Sequence, residues 1–251
     1  MTRHTVSSIT SDKPLICFIH IPRTAGTSFL QAVREEFGDR ALFLKELNAK
    51  CEKVAALLRN TDDIDIVAGH QAYGLHQYLD RPIHYATLLR DPTERYLSEY
   101  TLRLNPTKWM PTATARGKRT PAVYFEEVAQ DFVKRAKKLN SWKDRQARWL
   151  AGISAKDRIL DPNEILSTSK SNLSTFRFIG ITEHLEQSKD LFNRLFGTTL
   201  RLPSKRHKRS EVKITYDQLD SEIKNFIDSR TRLDREIYNL GLSLFRLQAQ
   251  H

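Results

Sequence analysis

Two cysteines in 251 residues, Cys17 and Cys51, are too few for a disulfide-dense secreted scaffold. With no CxxC, HxxxH or HExxH spacing anywhere, the common zinc frameworks are excluded as well, and no metal is expected. No apolar run approaches the ~18 residues of a membrane span, and the opening MTRHTVSSITSDK lacks the apolar centre of a secretory signal. Internal repeats and low-complexity tracts are also missing. These absences lead us to expect a soluble, cytoplasmic protein without an integral membrane segment; nothing in the sequence fixes its oligomeric state. Acidic residues are in deficit, 30 against 41 Lys and Arg, for a net charge of +11. Much of the surplus is clustered at Lys108–Arg119, Lys134–Lys138 and Lys205–Arg209. A nucleic-acid partner would explain the charge, but no aromatic-rich binding motif or recognition-helix pattern accompanies it, so none is expected. Small polyanions explain it equally well, and a solvated face is the default for any one lysine.

What is present begins at Leu15–Phe29, LICFIHIPRTAGTSF. Leu15–Ile21 is apolar and short enough for a strand buried on both faces, and Phe29, Leu30, Val33 and Phe37 then recur at helical spacing. The loop between them holds one glycine, Gly26, and small residues. At such a junction the first helical N–H groups have no internal partner and point outward with the positive end of the helix dipole, which suits an anion. Arg23 adds a fixed cation with a fork of donors, and Thr24, Thr27 and Ser28 add hydroxyls. The loop lacks the GxxxxGK[ST] ending of a nucleotide triphosphatase. Taken alone, it also reads as a plain capped strand-turn-helix.

A second segment, Ile83–Leu104, again runs from an apolar strand pattern (His84–Leu89) into a helix, through Arg90, Asp91 and Pro92. Asp followed by Pro is a good helix start. Arg90 at the strand end and Ser98 two turns into the helix could meet one anionic group; alternatively Arg90 pairs with Asp91 or Glu94 and Ser98 merely packs. Between the two segments, the strand pattern Asp63–Ala68 ends at Gly69-His70. A histidine just past a strand's carboxyl end lies in the crevice where open α/β sheets bind ligands, and its ordinary pKa of about 6.5 suits proton transfer near neutrality. His70 is the candidate general base, with capping or packing as the competing reading. His20, on the first strand, reads as structural.

Together HIPRTAGTSF and LLRDPTERYLSEY, about sixty residues apart, resemble the sulfotransferase superfamily, most closely the branch of heparan sulfate 2-O- and 6-O-sulfotransferases and their bacterial relatives. The resemblance implies that Arg23, Ala25, Gly26, Thr27 and Ser28 cradle the 5′-phosphosulfate of 3′-phosphoadenosine 5′-phosphosulfate (PAPS), and that Arg90 and Ser98 grip its 3′-phosphate. GHQAYGL resembles the segment that presents the family's catalytic histidine. Arg23 stands where many members have lysine. Arg177–Phe196 resembles the family's late strand and helix, and Leu233–Phe245 its closing helix. The implied activity is in-line transfer of a sulfonate to a hydroxyl-bearing acceptor, expected to be a glycan; a tyrosine peptide or small alcohol is the alternative acceptor, and a nucleotide kinase the alternative enzyme. Animal members carry a membrane anchor for the Golgi, and the lack of one here points to a bacterial-type enzyme.

One domain spanning 1–251 is expected, with a P-loop-like three-layer α/β fold. A central parallel sheet would be flanked by helices, because strand patterns near Leu15, Ile64, His84 and Phe176 are each followed by a helical stretch. The C-terminal third should be helical, at Glu183–Phe196, Tyr216–Ile227 and Leu233–Leu247. Residues 1–13 read as flexible. Asn105–Pro121, with three prolines and Trp109, reads as a mobile loop near the acceptor. His76, Tyr73 and Trp109 are the residues expected to reach the acceptor, with His76 also the alternative to His70 as base, although Trp109 could simply dock its loop. The basic run Lys205–Arg209 falls where relatives place a loop near the nucleotide.

Overall fold

The structure, a computed structural model, describes residues 13–59, 61, 63–103, 143–153, 161–204, 215–219 and 221–250. Trp109, the loop 105–121, the basic run 205–209 and residues 1–12 lie outside the described residues.

Five short strands form one sheet: β1 (Leu15–Ile19), β2 (Ala41–Ala49), β3 (Ile66–Gln71), β4 (Ile83–Leu89) and β5 (Phe178–Ile181). Their order is β2-β3-β1-β4-β5, and every pairing is parallel. Parallel strands require crossovers: α1 (Gly26–Phe37) carries the chain from β1 past the position of β3 to the edge strand β2, and α2 (Cys51–Leu58) returns it from β2 to its neighbour β3. Beyond β4 come α3 (Pro92–Arg103), α4 (Arg145–Leu150) and α5 (Pro162–Leu173); beyond β5 come α6 (Leu185–Phe196), α7 (Ser221–Arg230) and α8 (Arg232–Gln250). The expected strands are present, as are the C-terminal helices, except that the helix expected at Tyr216–Ile227 is a 3-10 turn at Tyr216–Gln218 followed by α7, and only a 3-10 turn, Leu75–Gln77, follows β3. β2 was not read from the sequence.

Side-chain alternation separates the layers, since consecutive strand residues face opposite sides of a sheet. Phe178 points to one face, where its ring meets Phe29 of α1 at 5.9 Å and Phe192 of α6 at 5.1 Å. Phe18 of β1 stacks on the same Phe29 at 5.2 Å. The next residue, Ile179, points to the other face, where α8 crosses β4 and β5 so closely that a Cβ on Gly241 would lie 2.3 Å from Leu89 Cδ1. Helices therefore cover both faces. Strand burial is complete on β1, where all five residues are buried, as a central parallel strand requires.

The chain leaves β1 toward β2, returns through β3, then passes over β1 to β4 on its far side. The strand order thus reverses at β1, and the crevice beyond the carboxyl ends of β1, β3 and β4 is where such sheets bind ligands.

Candidate active site

The loop leaving β1 folds into a tight hook. Arg23 (φ 74°) and Ala25 (φ 57°) both adopt the left-handed region, a conformation that costs of order 1 kcal/mol or more in a non-glycine residue and concentrates at functional sites. Thr24 is fully buried and its hydroxyl donates to Ile21 O at 2.8 Å, holding the hook closed. Thr24 is therefore not one of the anion-facing hydroxyls; its side chain is spent inside the turn. Ala25 occupies the N-cap of α1 and offers no side-chain acceptor, so it leaves the first-turn N–H groups without a side-chain cap of its own. Thr27 is exposed and Ser28 half-buried at that same helix start. The result is a ring of donors open to an anion.

Two arginines close the ring. Arg23 donates from Nε and Nη2 to Ser98 Oγ, at 3.1 and 2.7 Å. Arg90, just past β4, donates from Nη1 to the Arg23 carbonyl at 3.1 Å and lies 3.5 Å from the Glu94 carboxylate through Nη2. Ser98 is thus partnered with Arg23, and Arg90 makes the Glu94 pair that was the alternative reading of the sequence. Being two turns into α3, Ser98 meets the guanidinium that enters from the β1 loop, while Arg90 turns toward that loop's backbone. Burial pulls both guanidinium groups below their ordinary pKa, and Glu99 opposes the shift at Arg23. Both remain cations, because arginine does not deprotonate in proteins. Arg95 is 1% exposed and faces the buried Asp234 at 3.7 Å, so it serves the interior.

His70 lies inside β3, one residue before its end, and not beyond the strand as the sequence suggested: pairing with β2 continues to Ala49↔Gln71. Its Nδ1 lies 2.8 Å from the His20 carbonyl. A carbonyl only accepts, so Nδ1 carries the hydrogen and the neutral ring keeps its lone pair on Nε2. The ring stacks on His20 (centroids 4.5 Å apart, 23° between planes) and meets Trp149 of α4 edge-on at 6.0 Å. Burial lowers the His70 pKa, the bond to His20 O opposes this, and Arg145 adds to the lowering. His20 is driven by burial down to about 3. Burial favours the neutral form of both rings, and with Nδ1 committed to the His20 carbonyl the lone pair of neutral His70 sits on Nε2.

Gly26 makes this packing possible. A Cβ there would lie 1.8 Å from His20 Nε2, so only glycine lets the imidazole lie against the start of α1. The β1 loop and His70 are thereby linked through the His20 ring.

Residues 7–245 match the model of the sulfotransferase family. The chain belongs to the sulfotransferase family. Among its relatives, heparan-sulfate 6-O-sulfotransferase 2 of Gallus gallus is 25% identical over 192 residues, covering 68% of this chain and 46% of the relative. Heparan-sulfate 6-O-sulfotransferase 3-B of Danio rerio is 27% identical over 184 residues, 66% of this chain and 43% of the relative. With heparan-sulfate 6-O-sulfotransferase 1 of Cricetulus griseus the identity is 25% over 283 aligned positions, 94% of this chain and 68% of the relative. The chain spans less than half the length of the first two. Among the described residues no helix is long and apolar enough to cross a membrane.

In this sulfotransferase-family chain the two described acceptor candidates sit together, beside β4. Tyr73 packs into an aromatic cluster with Tyr85 (4.4 Å) and Phe176 (5.8 Å), and its backbone N–H donates to Trp149 O at 2.9 Å. His76 is exposed, with Nδ1 2.9 Å from the Tyr85 hydroxyl. Tyr85 is the third residue of β4, whereas Arg90 follows its last. Three residues that sequence reading did not single out also touch the site: Trp149 beside His70, Gln146 bonded to the backbone of Arg90, and Glu183, whose Oε1 accepts from Asp91 N at 3.1 Å. Glu183 sits in the segment resembling the family's late strand and helix, which was the one available signal; Gln146 and Trp149 had none.

Proposed function

We propose that this chain transfers a sulfonate group from PAPS to a hydroxyl of a carbohydrate acceptor. The observation that carries this reading is the joining of two cationic loops, after β1 and after β4, by Arg23 on Ser98 and by Arg90 on Arg23 O, with a neutral histidine at the end of β3. A donor with anionic groups at both its 5′ and 3′ ends needs two such loops. The uncapped start of α1, Arg23, Thr27 and Ser28 suit the 5′-phosphosulfate, and Arg90 suits the 3′-phosphate.

In the reaction the acceptor oxygen attacks sulfur and its proton passes to His70 Nε2. The bond from sulfur to the bridging oxygen breaks, and the electron pair stays with the departing 5′-phosphate. Arg23 and the helix amides offset the charge that grows there, as fixed dipoles and a fixed cation do in phosphoryl transfer. Arginine in place of lysine stabilises by charge and hydrogen bonds alone, since it does not give up its proton. The relatives are named as heparan-sulfate enzymes, and an acidic glycan suits a chain of net charge +11. Free Cys17 and Cys51 suit a reducing compartment such as the cytoplasm.

Incubation with sulfur-labelled PAPS and a panel of glycans, tyrosine peptides and small alcohols tests the reading, with sulfonated glycan as the expected product. Label on a peptide or alcohol would replace the acceptor class. No transfer to any acceptor, together with thermal stabilisation by magnesium ATP and none by adenosine 3′,5′-bisphosphate, would replace the reaction.

A further inference from the structure

Past Leu89, the last residue of β4 paired with β5, the backbone turns out of the sheet and its polar groups need other partners. Side chains from distant segments supply them. Thr182 Oγ1 donates to Leu89 O at 2.9 Å, and Asp91 N donates to Glu183 Oε1. Arg90 receives the most complete treatment: its N–H donates to Gln146 Oε1 and its carbonyl accepts from Gln146 Nε2, both at 3.0 Å. One amide thus closes two bonds on one residue 56 positions away, and Gln146 is itself fully buried.

A buried amide is costly unless both its ends are used, and an apolar side chain would fill the same space. Here both ends are used on a single residue. Because the amide is planar with donor and acceptor side by side, the pair fixes the rotation of the Arg90 backbone as well as its position. The guanidinium that leaves this backbone makes the contacts to Arg23 O and Glu94, so a small rotation at its root would move it out of line with the β1 loop.

The helix that carries Gln146 is equally well held. Asp234 Oδ1, at the start of α8, accepts from Ala147 N at 2.8 Å in α4. Asp144, just before α4, accepts in return from Leu233 N at 2.7 Å and Asp234 N at 3.3 Å. Each aspartate caps the other's helix. Arg95, on the same helix α3 as Ser98, faces Asp234 and returns the chain of contacts to the site.

We propose that Gln146 is a positioning residue for the 3′-phosphate of the donor: it does not touch the nucleotide, but sets the Arg90 backbone so that the guanidinium meets that phosphate. The inference rests on the donor reading above. It predicts a loss confined to ligands that carry a 3′-phosphate, which a glutamine of purely structural importance would not produce.

The test is calorimetric titration of adenosine 3′,5′-bisphosphate and adenosine 5′-monophosphate into the wild type, Gln146→Met and Gln146→Glu, with a melting curve for each. Methionine keeps the volume and removes both bonds; glutamate keeps an acceptor for Arg90 N. We expect Gln146→Met to lose about tenfold of the wild-type preference for the bisphosphate at nearly unchanged affinity for the monophosphate, with Gln146→Glu in between. A folded Gln146→Met with the wild-type preference overturns the proposal. If that variant does not fold, an unchanged preference in Gln146→Glu overturns it equally. A wild type with no preference between the two nucleotides would instead remove the donor reading, a separate failure from that of Gln146.

Discussion

Arg23 reaches Ser98 with both Nε and Nη2, so a side chain from the loop after β1 is locked to a helix 75 residues later. The bond joins the two segments, and substitutions at its two ends should not act independently. Ser98→Ala frees the guanidinium, and Arg23→Lys keeps the charge but loses the fork. Each should weaken adenosine 3′,5′-bisphosphate binding by about 1 kcal/mol, and the double variant should cost no more than the worse single one, a coupling of about 1 kcal/mol. Titration calorimetry on the four proteins measures it; strict additivity would mean that the observed bond is of no consequence to binding.

His70 combines the right tautomer with a lowered pKa, so it accepts a proton without first having to lose one. His70→Ala should reduce kcat by about 10²- to 10⁴-fold, while nucleotide affinity stays close to wild type. In the wild type, kcat/KM should rise with pH through an apparent pKa below the ordinary histidine value and be level by neutrality, because burial disfavours the charged ring. A variant with near wild-type turnover, or a limb centred above 6.5, would remove His70 from the role of base.

The parts of this site that were legible in the sequence are those written in neighbouring residues. Leu15–Ile19 declares a buried strand by its apolar run, and Asp91-Pro92 marks the start of α3. His70 was placed at a strand end because Gly69 reads as a terminus; it belongs to the strand because β2 pairs beside it. β2 itself, ALFLKELNA, is an edge strand interrupted by Lys45, Glu46 and Asn48, and so shows no clean period. What could not be read are partnerships across the fold. Nothing near Ser98 says that it will meet Arg23, and nothing near Gln146 says that it will close on Arg90. Thr24 was misread for the opposite reason: a hydroxyl in an anion loop looks like a ligand until the turn is seen to consume it.

Gly26 holds a steric position that no other residue can fill unchanged. With a methyl group 1.8 Å from His20 Nε2, Gly26→Ala must displace that imidazole, and the imidazole is stacked on His70. The variant should therefore lose base function as well as anion binding: kcat should fall together with nucleotide affinity, and His70 should titrate nearer its ordinary value as its burial is relaxed. Proton-detected histidine titration by NMR checks this. An unmoved His70 titration with lowered nucleotide affinity would confine Gly26 to the anion loop.

His20 should impose a pH dependence on stability whose sign can be worked out. Its folded pKa is about 3 against an ordinary 6.5, so the unfolded chain binds the extra proton in between. The contribution is fully present above 6.5 and is lost as pH falls toward 3, by about 1.4 kcal/mol per pH unit. Asp234 works in the opposite direction: burial raises its carboxyl and Arg95 opposes that, so the folded state holds the proton longer and this part of the stability is lost as pH rises. The wild-type profile is the sum, and His20→Gln separates the two because Asp234 is common to both proteins. Urea unfolding at pH 7.0 and 5.5, chosen as trial conditions, should show the wild type losing about 1 kcal/mol more than His20→Gln over that interval. Parallel losses would mean that His20 takes up its proton in the folded protein, and the stacked pair would then carry a charge that His70 must oppose when it acts as base.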